Sequence, residues 1–475
     1  MIRANEYKKI DWPLILCYLI LCFTGWISIF SAVYDQEHSQ ILDMSQRYGM
    51  QFIWIVSSFV IAFLVIFSVN PKLYTTLAWI IYGGSILLLI AVIFFGIEVN
   101  GSNSWFEIGP VRFQPAEASK IATTLALASL LSSYSFRLKS TQGLIKVGLI
   151  ILVPVAIIIL QKETGSALIY GAFIFMLYRE GLSGWVLTLG ILAIALFLIT
   201  LSSSPFFAIL TLFSLMIIAR GVLCGRAVLH LFILALYLPL MFFSPMLGNL
   251  PLIAGNITLP QEAWLAITIA PGLIYHLISA IKSRLIIHWN ILVCFIASVF
   301  LIFSVELVFE KVLQNHQKSR IENLLGINVD LKGAGYNVHQ SMIAIGSGGF
   351  SGKGFLQGTQ TKFNFVPEQS TDFIFCTIGE EWGFLGTSFI IFIYLFMIIR
   401  ILNLAEKQKD VFNRIFGYSL SSILFMHFFI NIGMTIGIMP VIGIPLPFVS
   451  YGGSSLWSFT LFLFIFIRLD LNRWK

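Results

Sequence analysis

Fourteen stretches of nearly uninterrupted apolar residues divide the chain: 12–33, 51–69, 74–97, 117–134, 144–161, 165–178, 183–202, 205–219, 227–246, 263–281, 287–309, 372–399, 414–438 and 451–467. About 20 such residues let a helix cross roughly 30 Å of hydrocarbon. The pattern therefore predicts an all-α fold, a polytopic integral membrane bundle of about 14 transmembrane helices. The first run begins at Leu14 behind Lys8 and Lys9, can span and lacks an A-x-A cleavage pattern, so it reads as a retained helix rather than a signal peptide. The short run 165–178 and the run 205–219, which follows a Ser-rich break, are the weakest, and losing either inverts everything downstream. One long polar interruption remains, the loop 310–371.

Composition agrees with this reading. The 475 residues are 58% hydrophobic and 11% charged, and a mean hydropathy of +0.91 excludes a soluble fold. The net charge of +7 does not point to nucleic acid, because basic residues follow the topology: 19 of the 29 fall in segments that face one side when the N-terminus is cytoplasmic. Six of the other ten lie in the loop 310–371, and long loops are translocated largely regardless of charge. Both termini are then cytoplasmic, with the loop outside. The five cysteines show no paired spacing, so neither a disulfide frame nor a zinc site is indicated.

Candidate chemistry concentrates between Gln340 and Gly386. Asp372 stands where the outer loop turns into an apolar run. That position suits a helix N-cap, and equally a carboxylate that accepts a proton from a sugar hydroxyl. Glu380 and Glu381 lie about 12–14 Å further along the same helix, where a charge facing lipid costs several kcal/mol, so they are expected to pair or to line a wet cavity. Glu117 and Lys120, spaced i, i+3, are possible partners for them or for each other. Lys162 and Glu163 mark another outer edge. Gly346, Gly348, Gly349, Gly352, Gly354 and Gly358 crowd one segment, but Lys353 is followed by Gly354 rather than Ser or Thr, so this is no Walker loop. A lipid-linked diphosphate can be met there by Arg320, Lys353 or Lys362. The run GIMPVIGIPLPFVSYGGSS, Gly437–Ser455, is too rich in Pro and Gly for a continuous spanning helix, and is expected as irregular backbone buried in protein or lining a cavity. His230, His276 and His427 occur singly in apolar runs and read as hydrogen-bonded packing residues. No metal triad is apparent.

These residues resemble a known family. RFQPAEASK (112–120), GAGYNVHQSMIAIGSGGFSGKG (333–354), NFVPEQSTDFIFCTIGEEWGFLG (364–386) and NIGMTIGIMPVIGIPLPFVSYGGSS (431–455) resemble the SEDS proteins of shape, elongation, division and sporulation, the RodA-like elongation branch more than the FtsW-like division branch. The resemblance implies a peptidoglycan glycosyltransferase that polymerises lipid II on the outer face of the bacterial cytoplasmic membrane and inverts the anomeric centre. It implies a class B penicillin-binding protein as transpeptidase partner, besides other elongation-complex membrane proteins and membrane lipids, and no nucleic acid. Asp372 matches the family's catalytic aspartate. Trp105, Gln114, Glu117, Lys120, Arg320, Ser341, Thr371 and Glu381 match polar or aromatic positions around its central cavity, and Ser450 and Tyr451 belong to its C-terminal signature. No nucleotide cofactor is implied, and a divalent cation (Mg or Mn) at Asp372 is left open.

Two departures accompany the resemblance. Ser104 stands where the family carries Arg before the tryptophan of the first outer loop, and Glu163 replaces Asp in QKETGSA (161–167). The family plan also has ten helices, so 12–180 and 287–475 are read as its core, and 183–286 as four inserted helices in a single membrane domain. The same intramembrane carboxylates and broken helices would suit a lipid II flippase, although the inner halves of the spans are mostly apolar. A scaffold without activity leaves the polar loop unexplained.

Overall fold

The computed structural model describes residues 10–34, 40–99, 101–109, 111–223, 225–244, 246, 261–283, 286–311, 315–327, 335–363 and 365–474. Of the basic residues used above, Arg3, Lys8, Lys9, Arg284, Lys332 and Lys475 lie outside the described residues, as does Cys224. Helices occupy every predicted span: α1 Trp12–Ala32, α2 Arg47–Phe67, α3 Pro71–Phe95, α4 Pro115–Leu131, α5 Thr141–Leu160, the broken pair α6 Thr164–Ile169 and α7 Phe173–Arg179, α8 Gly184–Ser202, α9 Pro205–Leu223, α10 Ala227–Phe242, α11 Gln261–Ser283, α12 Ile286–Lys311, then α16 Ile374–Glu406, α17 Val411–Thr435 and α18 Gly453–Leu471. Among the described residues, 11 helices are long and apolar enough to cross a membrane. The remaining spans are α4, diluted by Glu117 and Lys120, the broken α6–α7, and α10, which has 16 residues.

Two features were not foreseen. The predicted loop 310–371 carries helices of its own, α13 Asn315–Leu325, α14 Tyr336–Ser347 and the single turn α15 Thr359–Lys362. Between α3 and α4 lies a small antiparallel sheet, β1 Ile97–Val99, β2 Ser102–Ile108 and β3 Val111–Phe113, in the order β1-β2-β3, with Trp105 opposite Ile97 and Phe106 opposite Phe113. The Asn100-Gly101 pair between the first two strands is a hairpin signal that the hydropathy pattern masked.

Contacts divide the chain into two compact units, Met1–Ser183 with Leu331–Lys475, and Gly184–Asp330. The second unit thus takes in α12 and α13, beyond the expected boundary at 286. In the first unit α17 packs against α4, α7, α16 and α18. Its buried face includes Asn413, Ser419, Ser421, His427 and Asn431, a polar content that is tolerable in a membrane only where partners exist.

Helices α1 and α16 run antiparallel, which fixes the two ends of this unit. Arg400 of α16 pairs with Asp11 at the start of α1 at 2.7 Å, whereas Glu381 accepts a hydrogen bond from Ser31 near the end of α1. Glu180–Arg414 (2.9 Å) and Arg179–Glu406 join helix ends beside the first pair. Asp372 stands at the opposite end, just before α16.

The glycine-rich segment 348–354 has a structural use. α16 is interrupted at Gly383, whose φ of 62° and ψ of −155° only glycine adopts without strain. Backbone groups released by the break are taken up in register: Lys353 N–H donates to the Glu380 carbonyl and Gly354 N–H to that of Glu381 (3.0 Å each), while Phe384 and Leu385 N–H donate to the Gly349 and Phe350 carbonyls at 2.9 and 3.1 Å. Only glycine allows this approach, because a Cβ at Gly348 would lie 2.0 Å from the Gly379 carbonyl, and one at Gly352 (φ +80°) 2.0 Å from that of Glu381. The segment is a backbone strap over a broken helix.

Candidate active site

Asp372 lies two residues before the first turn of α16. The cap position belongs to Phe373, which makes no side-chain cap bond, so the N-cap reading is corrected. The three residues ending at Asp372 are held through consecutive carbonyls, each by a different donor. Tyr451 N–H donates to Ser370 O at 2.9 Å, Ser450 Oγ to Thr371 O at 2.6 Å, and Asn431 Nδ2 to Asp372 O at 2.8 Å. Asn431 also donates to Ile444 O at 2.7 Å, and Ser450 Oγ accepts from Leu446 N–H at 2.8 Å. The irregular 437–452 segment, together with Asn431 of α17, is therefore a wall that anchors the backbone carrying the aspartate. The half-buried Asp372 carboxylate lies against Gly443 (φ +78°), where a Cβ would stand 3.3 Å from Oδ2.

Arg47, at the start of α2, is a residue that sequence reasoning missed. Its guanidinium donates to Ser370 Oγ at 2.7 Å, stands 3.9 Å from Glu368 and 5.9 Å from the ring centre of Tyr451, and remains about half exposed (46%). It brings a cation to the segment that carries Asp372. No sequence signal separated it from the other basic residues.

A buried polar cluster also adjoins this wall. Lys120 donates to Glu117 at 2.7 Å, both almost fully buried (2% and 3% exposed), so these two residues pair with each other. Lys120 also donates to His427 Nε2 at 2.9 Å. The remaining imidazole proton is thereby assigned to Nδ1, which faces the Pro445 carbonyl at 3.3 Å. Gln114 gives its backbone N–H to Ser454 Oγ at 3.1 Å and its side-chain amide to Glu163, which also accepts from Ser166. Burial pushes the Glu163 carboxyl above the usual carboxylate range. Among the described residues, Glu117 Oε2 and Glu163 Oε2 have no hydrogen-bond partner. Such buried acceptors call for water or a ligand hydroxyl.

The remaining candidates take other places. Ser341 donates to the Thr435 carbonyl at 2.9 Å and is fully buried. Glu380 binds Lys353 Nζ (2.7 Å) and the N–H groups of Thr359, Gln360 and Thr361, fixing the start of α15. Glu381 accepts from Leu356 N–H at 3.0 Å. Both glutamates avoid lipid by satisfying the strap. Thr371 Oγ1 turns to Glu368, Trp105 sits half-buried on β2, Lys362 is exposed over the Tyr34 ring, and Arg320 belongs to α13 of the second unit.

The profile of the family described as "Cell cycle protein", which groups FtsW, RodA and SpoVE, matches residues 11–215 and 240–474. The chain belongs to this family. The FtsW/RodA/SpoVE match runs through most of 183–286 and passes over only 216–239. Among similar proteins, a peptidoglycan glycosyltransferase RodA of Treponema pallidum is 32% identical over 461 residues, covering 96% of each chain. The peptidoglycan glycosyltransferase MrdB of Escherichia coli K12 is 28% identical over 95% of this chain and 93% of its own. A solved chain from a peptidoglycan synthase complex shares the fold, with a TM-score of 0.59, 22% identity and coverage of 98% and 99%.

Proposed function

We propose that the protein is a peptidoglycan glycosyltransferase that polymerises lipid II into glycan strands at the outer face of the bacterial cytoplasmic membrane, in the service of elongation and shape. The observation that carries this reading is the Asp372 carboxylate, aimed by three consecutive carbonyl bonds in a chain whose near full-length relatives bear that activity. Asp372 accepts the proton of the acceptor sugar's 4-hydroxyl as that oxygen attacks C1 of the donor. The bond from C1 to the diphosphate breaks, and its electron pair leaves on the undecaprenyl diphosphate. Arg47 supplies the positive charge that Ser104 no longer offers before Trp105, so developing negative charge meets a fixed cation.

Ser450, Tyr451 and Asn431 act as positioning residues, while Gln114, Glu117, Lys120 and Glu163 line the acceptor side with buried polar groups. Mg2+ takes one or two carboxylates together with substrate phosphates, and Asp372 supplies one carboxylate. An ion held there would neutralise diphosphate charge. Both termini lie in the cytoplasm, and a class B penicillin-binding protein crosslinks the product, a pairing supported by the fold shared with a synthase-complex chain.

Detergent micelles have no sides, so they separate polymerisation from transport. Purified protein given labelled lipid II in micelles is expected to build a ladder of glycan chains. No ladder in micelles, combined with accelerated loss of labelled lipid II from one leaflet of liposomes, would replace the polymerase with a flippase.

A further inference from the structure

The second unit carries a polar centre that the polymerase reading leaves unused. Arg220, near the end of α9, is buried (7% exposed) and does not snorkel to water. Its Nη1 donates to His276 Nδ1 at 2.7 Å, its Nη2 to Ser279 Oγ at 2.8 Å, and its guanidinium stacks 4.6 Å from the ring centre of Tyr275. These partners are neutral. Among the described residues Arg220 has no ion pair, and the sole carboxylate on α9, α10 and α11 is Glu262, about 21 Å along α11 from His276. A buried cation without a counter-charge costs several kcal/mol.

His276 gives a second, independent sign. Because its Nδ1 accepts from Arg220, its proton is on Nε2, and among the described residues that buried N–H meets no acceptor at hydrogen-bond geometry (residue 1% exposed). Arg220 and His276 both line a cavity of about 50 Å³ between α9, α10 and α11, bounded also by Phe213, Ile217, His230 and Tyr275. The space exceeds what one water needs. His230, on the α10 wall, donates its Nδ1–H to the Arg226 carbonyl at 2.9 Å, and His288 stands beside His276 with ring centres 5.8 Å apart. Arg220 and the histidines supply bases here, no carboxylate lines the cavity, and apart from the tyrosines Tyr237 and Tyr275 its other walls are apolar.

We infer that this cavity is a binding site for a phosphoryl anion, whose oxygens take the free guanidinium N–H groups of Arg220 and the Nε2–H of His276. The chemistry suits both the phosphate of an anionic lipid, with its chain along Phe213 and Ile217, and free phosphate. A purely structural arginine linking α9 to α11 uses two N–H groups and leaves both the charge and the His276 donor unanswered.

Native mass spectrometry of the full chain, purified and re-equilibrated with phosphatidylglycerol, tests the inference on wild type, Arg220→Gln and the exposed control Arg226→Gln. Retained lipid is expected to fall on the order of tenfold or more in Arg220→Gln and to be unchanged in Arg226→Gln. In lipid-free micelles, inorganic phosphate that raises the melting temperature of wild type but not of Arg220→Gln assigns the site to the free anion instead. Lipid II polymerisation by Arg220→Gln reports that the variant is folded. Equal lipid retention in all three proteins, together with no phosphate effect that depends on Arg220, overturns the inference.

Discussion

At the scale of single residues, position matters as much as chemical type. Asn431 was invisible in the sequence because it reads as one more polar side chain in an apolar helix, yet it joins the Asp372 and Ile444 carbonyls. Replacing it with alanine leaves both carbonyls without that donor and frees the aspartate to drift. Asn431→Ala is expected to lower the polymerisation rate at saturating lipid II by about 100-fold, with little change in lipid II binding measured separately. Equal losses in rate and binding would instead make Asn431 a substrate contact. Glu163 offers a test by pH. Its carboxyl titrates above the unfolded range, so the folded chain favours the protonated form, and this contribution is present at low pH and lost as pH rises through the folded value. Glu163→Gln is therefore expected to raise the melting temperature at pH 8 by about 2 °C relative to wild type and to do less at pH 5, as followed by differential scanning fluorimetry.

Among the elements, the strap and the broken helix were legible only in part. The sequence showed a glycine cluster and two glutamates that had to avoid lipid. It did not show that these solve each other's problem, because the pairing of 349–354 with 380–385 depends on a break at Gly383 that hydropathy cannot register. Gly352→Ala combines a left-handed φ with a backbone oxygen 2.0 Å from the new Cβ, so it is expected to cost about 3 kcal/mol or more and to abolish recovery of folded protein in size-exclusion chromatography. Gly346→Ala is the control: a Cβ there meets nothing within 4 Å, and the variant should elute as wild type does. The sheet at 97–113 escaped for a different reason. Its strands are three to seven residues long and lie between two spans, where the eye follows apolar length rather than alternation.

For the molecule as a whole, apolar run length was enough to place every spanning helix, since lipid penalises exposed backbone and polar side chains alike. Assembly was less legible: the wall formed by residues 437–452 meets a segment tens of residues away, and the pairing of Lys120 with His427 and the place of Arg47 arise from contacts between segments about 300 residues apart. The proposed orientation is tested at the two ends of the first unit. With a membrane-impermeant maleimide on intact cells, Gln357→Cys is expected to label, and Lys409→Cys only after permeabilisation; the reverse pattern would invert the topology. The most direct test of the account is the glycan ladder made from labelled lipid II by purified wild type and by Asp372→Asn. Wild type is expected to extend chains while Asp372→Asn, folded and still binding lipid II, makes none above background. Ladders of equal length and intensity from the two proteins would contradict it.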